Sequence, residues 1–183
     1  MTEQAKEAAE ALFPGEKWIA VEDGIYLSPR RAVGEKSDYK NELRCAQILR
    51  DLGSTVYLVP ESRRLVGKKF DAIVDGLKFE FKNMHGKSDD TLIDHFYSSR
   101  GQAPNVFMNL EESPLHRNRV IRVLHGARNS PKYDKKNAFS EGGSIILKIR
   151  GCENLIYLDV DGLKKQKNTG AKCARYGGQE VGF

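Results

Sequence analysis

Apolar and polar residues alternate along residues 69–72, before the apolar Ile73 and Val74, and again along residues 77–82, after the dipeptide Asp75-Gly76. Alternation with a period of two predicts half-buried strands, and Asp-Gly between two such strands is a strong signal for a two-residue hairpin turn. One face of this hairpin is predicted to join the core, and it comprises Phe70, Ala72, Val74, Leu77, Phe79 and Phe81. The pattern therefore predicts an antiparallel hairpin whose other face is polar.

The polar face of the predicted hairpin contains two acids and a lysine. Counting pairs outward from the turn sets Asp71 directly opposite Glu80, and alternation places Lys82 on the same face as Glu80. Directly opposite side chains have Cβ atoms about 4.5 to 5.5 Å apart, where like charges repel unless a cation neutralises them. Magnesium-type cations bind one or two carboxylates and complete their shell with water and phosphate oxygens. We therefore predict a Mg2+ or Mn2+ site at Asp71 and Glu80.

The alternative interpretation of the same residues is the solvated face of a half-buried hairpin. In that arrangement Lys82 screens Asp71 diagonally, while Lys78 and Lys82 screen Glu80. Such screening accounts for the charges, but it does not explain why two acids face each other. The metal site is therefore the preferred hypothesis.

The rest of the chain predicts helices and strands in an order typical of an α/β fold. Helices are predicted over residues 2–12, 37–52 and 91–100, and from Ser113-Pro114 onward. Strands are predicted as a hairpin over 17–27 and as single strands over 55–59, 105–110, 144–149 and 155–160. This order favours an α/β fold with a mixed central sheet flanked by helices.

The predicted helix 37–52 contains a third candidate acid, Glu42. It lies one step of about 100° from Leu43, at the margin of the apolar stripe. A side chain at that margin can reach the edge of a sheet packed beneath the helix. An acid on an amphipathic helix is ordinarily solvated, so Glu42 becomes a candidate ligand only together with the hairpin.

An acid at the start of one strand, with Glu-X-Lys on its hairpin partner, is the motif of the PD-(D/E)XK nuclease superfamily. Asp71 and Glu80-Phe81-Lys82 resemble that motif. The superfamily often has proline before the aspartate, and Phe70 occupies that position here. The resemblance extends over about residues 37–110, and the ends of the chain are not covered by it.

The resemblance implies a restriction-endonuclease-like core with the order αβββαβ and a metal-dependent nuclease activity. It implies Asp71, Glu80 and, from the preceding helix, Glu42 as metal ligands, with Lys82 completing the catalytic set. His85 and His95 lie on either side of the next predicted helix start. Either could act as a general acid or base, although a histidine that no motif places is more often incidental.

A positive charge balance favours a polyanionic partner. Lys and Arg number 30 against 25 Asp and Glu, which gives a net charge of +5. The residues predicted to contact a nucleic-acid backbone are Arg63, Arg64, Lys68, Lys87, Arg117, Arg119 and Arg122. The alternatives are a surface loop and a solvated helix face, but a helix face without acids favours phosphate contacts.

Other classes of protein are excluded by simple features of the sequence. No apolar run approaches the roughly 20 residues that span a bilayer, and no signal peptide precedes the first helix. Cys45, Cys152 and Cys173 are far apart, without the spacing of a zinc site or a disulfide framework. We therefore expect a protein without membrane contact that acts in the cytoplasm.

Within the superfamily, the compact basic core is similar to the C-terminal nuclease toxins of contact-dependent inhibition systems. That similarity implies RNA, in particular tRNA, as substrate and a cognate inhibitor protein as partner. The predicted division is an N-terminal extension over 1–36, a nuclease core over 37–161 and a flexible basic tail over 162–183. Two alternatives stay open at this point: a DNA endonuclease of phage or mobile-element origin, and a non-catalytic nucleic-acid-binding module.

Overall fold

The computed structural model describes residues 2–31, 37–60, 70–99, 101–130, 143–160, 174–176 and 179–181. Within these residues the helices are α1 (Thr2–Leu12), α2 (Ser37–Asp51), α3 (Asp89–Ser99) and α4 (Arg117–Asn129). The strands are β1 (Ile19–Glu22), β2 (Ile25–Leu27), β3 (Val56–Leu58), β4 (Ala72–Val74), β5 (Leu77–Asn83), β6 (Asn105–Leu110), β7 (Ser144–Ile149), β8 (Ile156–Asp159), β9 (Ala174–Tyr176) and β10 (Gln179–Val181). The chain divides into two compact units, Met1–Phe81 and Lys82–Phe183.

Eight strands form one mixed sheet in the order β1 to β8, and β9 and β10 form a separate antiparallel pair. The pairs β2–β3 and β6–β7 are parallel, and the other pairs described are antiparallel. The predicted class, α/β with a mixed sheet flanked by helices, is confirmed. The observed order α2-β3-β4-β5-α3-β6 matches the predicted αβββαβ order. The division at residues 36 and 161, with a basic tail, stays a prediction.

A tight turn at Asp75-Gly76 sets the register of the β4–β5 hairpin. Both residues have positive φ angles, 48° and 88°, as a two-residue hairpin turn requires. The turn is tied to the start of β3, because Thr55 N–H donates to the Asp75 carboxylate over 2.9 Å and the Asp75 N–H donates to the Thr55 carbonyl over 3.0 Å. The resulting pairs are Ala72 with Phe79, Ile73 with Lys78 and Val74 with Leu77, as predicted. The predicted fourth pair, Asp71 with Glu80, is not part of the ladder, which ends at Ala72 and Phe79.

The face of β4 that was predicted to be polar is covered by α1. A buried apolar cluster in the first unit comprises Ala5, Ala9, Phe13, Tyr57, Val59 and Ile73. The hairpin is therefore buried on both faces at Ile73, because α1 has small apolar residues on the side that packs there. Leu77, which was predicted to be in the core, is instead 50% exposed beside the turn.

The alternation of side chains breaks where the chain enters β4. Ala72 pairs with Phe79, yet the N–H of Asp71 donates to the Phe79 carbonyl over 2.9 Å. Two residues opposite one is the pattern of a β-bulge, which changes the face that preceding side chains occupy. Phe70 accordingly packs with the cluster around Ile73 and lies under the Lys78 ammonium, not on the predicted face.

The second unit has its own core, formed by α3, α4 and the strands β6 to β8. Phe96, Leu124 and Phe107 are fully buried in this unit. The helix predicted to begin at Ser113-Pro114 begins instead at Arg117, with His116 at the N-cap. Ser113 stabilises the preceding turn, where its hydroxyl donates to the Gly86 carbonyl over 2.7 Å.

We expect Gly76→Ala to lower the free energy of unfolding. A Cβ at Gly76 would lie 3.5 Å from the Gln4 carbonyl oxygen, an ordinary contact, so the cost arises from the φ of +88°. A left-handed backbone costs a non-glycine residue roughly 1–2 kcal/mol. Urea unfolding followed by circular dichroism measures the change.

The matched control is Gly126→Ala on the exposed side of α4. A Cβ there would have no described atom within 4 Å, and alanine is favoured over glycine in a helix by roughly 0.5–1 kcal/mol. The same chemical change should therefore stabilise the protein at this position. A stabilising effect of Gly76→Ala would show that the turn does not hold the described backbone.

Candidate functional site

Asp71 is held at the entrance of β4 by hydrogen bonds from three directions. Its carboxylate Oδ2 accepts from the Phe81 N–H over 2.8 Å, and its carbonyl accepts from the Val59 N–H over 3.0 Å. Its own N–H donates to Phe79. The half-buried carboxylate therefore lies against the peptide that joins Glu80 to Phe81.

Glu80 and Lys82 both lie on β5. Glu80 is 3% exposed, and a carboxylate buried to this degree requires hydrogen-bond donors, a cationic side chain or a metal ion. Lys82 is half-buried and lies two residues further along β5, so strand alternation places it on the side of Glu80. Within β5, Glu80 is thus a buried acid between two buried phenylalanines, and Lys82 is a half-buried lysine after them.

Glu42 contacts an arginine that the sequence analysis did not single out. Arg31 is 4% exposed, and its Nη2 donates to the Glu42 carboxylate. Its Nη1 donates to the carbonyl of Val59, with a longer bond of 3.4 Å to the carbonyl of Asp71. Arg31 therefore connects the acid of α2 with the two strand ends that meet at Asp71.

A turn after β2 directs Arg31 inward. The Arg31 N–H donates to the Ser28 carbonyl over 3.0 Å, and Pro29 occupies the second position, which proline favours in such turns. Ser28 also donates to Glu16 over 2.6 Å, and Arg30 pairs with the same carboxylate. The Ser-Pro-Arg-Arg sequence was the signal that could have indicated this turn.

Glu16 accepts hydrogen bonds from two residues of that turn, Ser28 and Arg30. Burial raises its pKa, but hydrogen bonds from Arg30 and Ser28 outweigh the effect and hold the pKa below the ordinary value. The Glu16 side chain is only 3% exposed, whereas that of Arg30 is 64% exposed. The two neighbouring arginines therefore have different environments, since only Arg31 is buried.

The three candidate ligands are carboxylates, the donors that a hard cation prefers. Among the described residues, which include Asp71, Glu80 and Glu42, no three Asp, Glu, His or Cys side chains are grouped so that they could hold a metal ion. Magnesium needs only one or two carboxylates and otherwise retains water. The ligand roles of Asp71, Glu80 and Glu42 therefore stay a prediction.

A second group of polar side chains lies in the second unit. His85 Nδ1 is 2.5 Å from a carboxylate oxygen of Glu112, and its Nε2 is 3.2 Å from the Asn83 amide nitrogen. Asn109, which is buried, donates to the Asn83 side chain over 2.7 Å. These contacts connect the exposed ring of His85 to the buried amide of Asn109 through Asn83.

His95 on α3 belongs to the same surroundings. Burial lowers its pKa, and the positive charge of Lys82 lowers it further, against a smaller opposing effect of Asp94. His95 is therefore held as neutral imidazole at neutral pH. Neutral imidazole can accept a proton, whereas an imidazolium cannot.

The predicted nucleic-acid contacts are described only in part. Arg63, Arg64 and Lys68 lie outside the described residues. Lys87 and Arg122 are exposed, and Arg117 is half-buried. Arg119 donates to both carboxylate oxygens of Asp89, over 2.8 and 3.2 Å, so the basic face of α4 does have an acid beside it, contributed by α3.

The Asp89–Arg119 pair affects both groups. Hydrogen bonds from Arg119 hold the pKa of Asp89 below its ordinary value, and Asp89 raises the pKa of Arg119. The charge of Arg119 is thus compensated within the protein.

None of the helices in the described part of the chain has the length and apolar character needed to cross a membrane.

We expect Lys82→Met to raise the pKa of His95, because the substitution removes a positive charge that disfavours the imidazolium. NMR titration of the His95 ring measures the pKa directly. Since the folded protein binds this proton less tightly than the unfolded chain, acidification below about pH 6.5 also reduces the free energy of unfolding. That loss is complete below the folded-state pKa.

Lys148→Met, in the same unit, is the control and should leave the titration of His95 unchanged. Lys148 donates to the carbonyls of Cys152 and Glu153 and is not among the groups that shift the pKa of His95. A pKa of His95 at or above the ordinary value in the wild type would contradict the described surroundings.

Comparisons with known proteins give one structural likeness. No family model matches this chain, and no curated protein matches it. A chain of the solved "CdiA-CT/CdiI toxin and immunity complex from Burkholderia pseudomallei" is similar, with 20% identity and a TM-score of 0.49. The similarity covers 73% of this chain and 98% of the other. At that identity and score, the likeness assigns no function to this chain.

Proposed function

We propose that this chain is a metal-dependent nuclease that hydrolyses phosphodiester bonds. The observation that supports the proposal is the contact between the Asp71 carboxylate and the Phe81 N–H, at the centre of the Glu80-Phe81-Lys82 sequence. That contact brings the acid that precedes β4 against the segment of β5 that has the Glu-X-Lys motif. The solvated-face alternative does not account for a Glu80 that is 3% exposed.

Asp71 and Glu80 would hold a Mg2+ or Mn2+ ion, and Glu42 would contribute through a bound water, as suits a cation that retains its hydration. When bound, the ion lowers the pKa of a coordinated water and screens the charge of the phosphate. The Lys82 ammonium donates hydrogen bonds to the attacking water and to the phosphate oxygens. It thereby orients the nucleophile and stabilises negative charge as it develops.

The proposed substrate is RNA, with tRNA as the first choice. The preference for RNA derives from the resemblance of the motif and the compact basic core to toxin nucleases. Lys87, Arg117 and Arg122 would bind the phosphate backbone, which gives affinity without sequence specificity. A cognate inhibitor protein as partner and action in the cytoplasm belong to the same proposal.

The histidine group of the second unit favours a second candidate, metal-independent cleavage of RNA. The Glu112 carboxylate at 2.5 Å from Nδ1 orients the His85 ring, as a carboxylate does in many general-base histidines. His85 would remove the proton of the ribose 2′-hydroxyl, and the 2′-oxygen would attack the phosphorus. The P–O5′ bond would break, and the departing 5′-oxygen would take a proton from water. This reaction yields a cyclic phosphate and proceeds in the presence of chelator.

We expect Glu80→Gln and Lys82→Ala each to lower the cleavage rate by at least about 10²–10³-fold, the typical cost of removing a charge-stabilising group. Both variants should still bind nucleic acid. The assay offers total tRNA and duplex DNA side by side, with Mg2+ and with excess EDTA. Glu153→Gln and Lys6→Ala make the same changes at exposed positions and should retain the wild-type rate.

Each outcome of this assay selects one hypothesis. Cleavage of tRNA that EDTA abolishes supports the proposal, and cleavage of duplex DNA alone supports the DNA endonuclease. Cleavage that persists in EDTA and is lost in His85→Ala supports the metal-independent reaction. Binding without cleavage under all conditions supports a non-catalytic module.

We expect Asp89→Asn to strengthen nucleic-acid binding, because it adds one positive charge and releases Arg119 from its carboxylate partner. Each additional phosphate contact steepens the dependence of log K on log salt by about 0.7–0.9. Fluorescence anisotropy over a series of salt concentrations measures this slope. Glu153→Gln changes the net charge equally, and a slope equal to that of Asp89→Asn would count against α4 as the binding surface.

A further inference from the structure

We propose that Arg31 is a positioning residue of the candidate metal site. It holds the Glu42 carboxylate at the strand ends where Asp71 is fixed. The inference rests on the proposed nuclease function, and it assigns a role to a residue outside the Glu-X-Lys motif. Arg31 acts through Glu42 and Asp71 and does not itself contact the substrate.

The contacts of Arg31 connect the carboxylate of Glu42 with the backbone of Asp71. One terminal nitrogen of the guanidinium donates to the carboxylate of Glu42, and the other donates to the backbone carbonyls of Val59 and Asp71. The carbonyl of Asp71 belongs to the residue whose carboxylate accepts from Phe81. One rigid group therefore links the carboxylate of the α2 acid to the backbone of the residue that precedes β4.

The choice of arginine follows from its shape. The guanidinium is planar, and its two terminal nitrogens point in fixed directions, so a single side chain can serve two acceptors at a set separation. Lysine has one nitrogen and cannot make both sets of contacts in one orientation. Arg31 is also only 4% exposed, and a charge buried to this degree requires specific partners.

Outer-shell partners of metal-binding carboxylates have measurable effects on the metal. Such groups fix the orientation of the ligand, and their loss typically costs about 10–100-fold in metal affinity or activity. The Arg31–Glu42 pair can orient a carboxylate in this way, because the guanidinium contacts Oε2 of Glu42.

A purely structural role for Arg31 is the competing explanation. In that case the guanidinium joins α2 to β3 and β4, and its loss lowers stability without changing the affinity of folded protein for metal. A purely electrostatic role predicts the opposite result. A cation near Asp71 repels Mg2+, so a variant that moves this charge away from Asp71 should bind the metal more tightly. Metal affinity therefore separates the three roles.

The experiment measures Mn2+ binding by isothermal titration calorimetry to wild-type protein, Arg31→Lys and Glu42→Gln, each shown to be folded by circular dichroism. We expect Arg31→Lys to reduce Mn2+ affinity by about 10-fold, at the lower end of the range for outer-shell partners. In the cleavage assay, kcat should fall with little change in KM. Glu42→Gln should show the same loss, and the double variant should lose no more than either single variant.

Arg30→Lys is the matched control, one position away in the same turn. Arg30 pairs with Glu16 and has a side chain that is 64% exposed, so its replacement should leave Mn2+ affinity unchanged. Glu42→Gln keeps the experiment decisive if Arg31→Lys does not fold. Unchanged or higher Mn2+ affinity in a folded Arg31→Lys or Glu42→Gln variant would overturn the positioning role.

The two proposals fail in different ways. If the wild-type protein binds no Mn2+, the metal-dependent nuclease and the positioning role are both rejected. If the wild type binds Mn2+ and Arg31→Lys binds it equally well, only the positioning role is rejected. In that second case the metal site of Asp71 and Glu80 is retained without Arg31.

Discussion

The register of the β4–β5 hairpin is the constraint on which the candidate site depends. A shift of one residue would move Glu80 and Lys82 to the opposite face of their strand. The turn resists such a shift because Asp75 and Gly76 have positive φ angles that suit a two-residue connection, and because Asp75 is hydrogen-bonded to Thr55. Local turn chemistry thus determines which side chains of β5 can act together.

The elements that pattern and turn chemistry define could be predicted from the sequence. The hairpin register follows from the Asp-Gly dipeptide, and strand 105–110 follows from its continuous apolar run. The helix at Ser113 was placed too early because its serine and proline resemble a cap, whereas the serine hydroxyl in fact donates to the Gly86 carbonyl. A local signal of this kind cannot reveal a partner that is distant in sequence.

The features that could not be predicted depend on tertiary contacts. The bulge at Asp71 arises where the chain enters β4, and no residue there signals it. Burial of Ile73 requires α1, whose small side chains read only as a helix in the sequence. Arg31 looked like one of many basic residues, and its burial depends on carbonyls and a carboxylate from three other segments. The motif therefore indicates Asp71, Glu80 and Lys82 but not Arg31.

The packing of the first unit has a consequence for fragments of this chain. The cluster that buries Ile73 and Tyr57 takes three of its residues from the first 13 positions, and β2 is a hydrogen-bonded neighbour of β3. A fragment starting at Ser37 would leave one side of β3 without a partner strand and would expose aromatic surface to water. Expression of the motif-bearing region alone is therefore expected to give aggregated protein, so that inactivity of such a fragment would not bear on the chemistry of the intact chain.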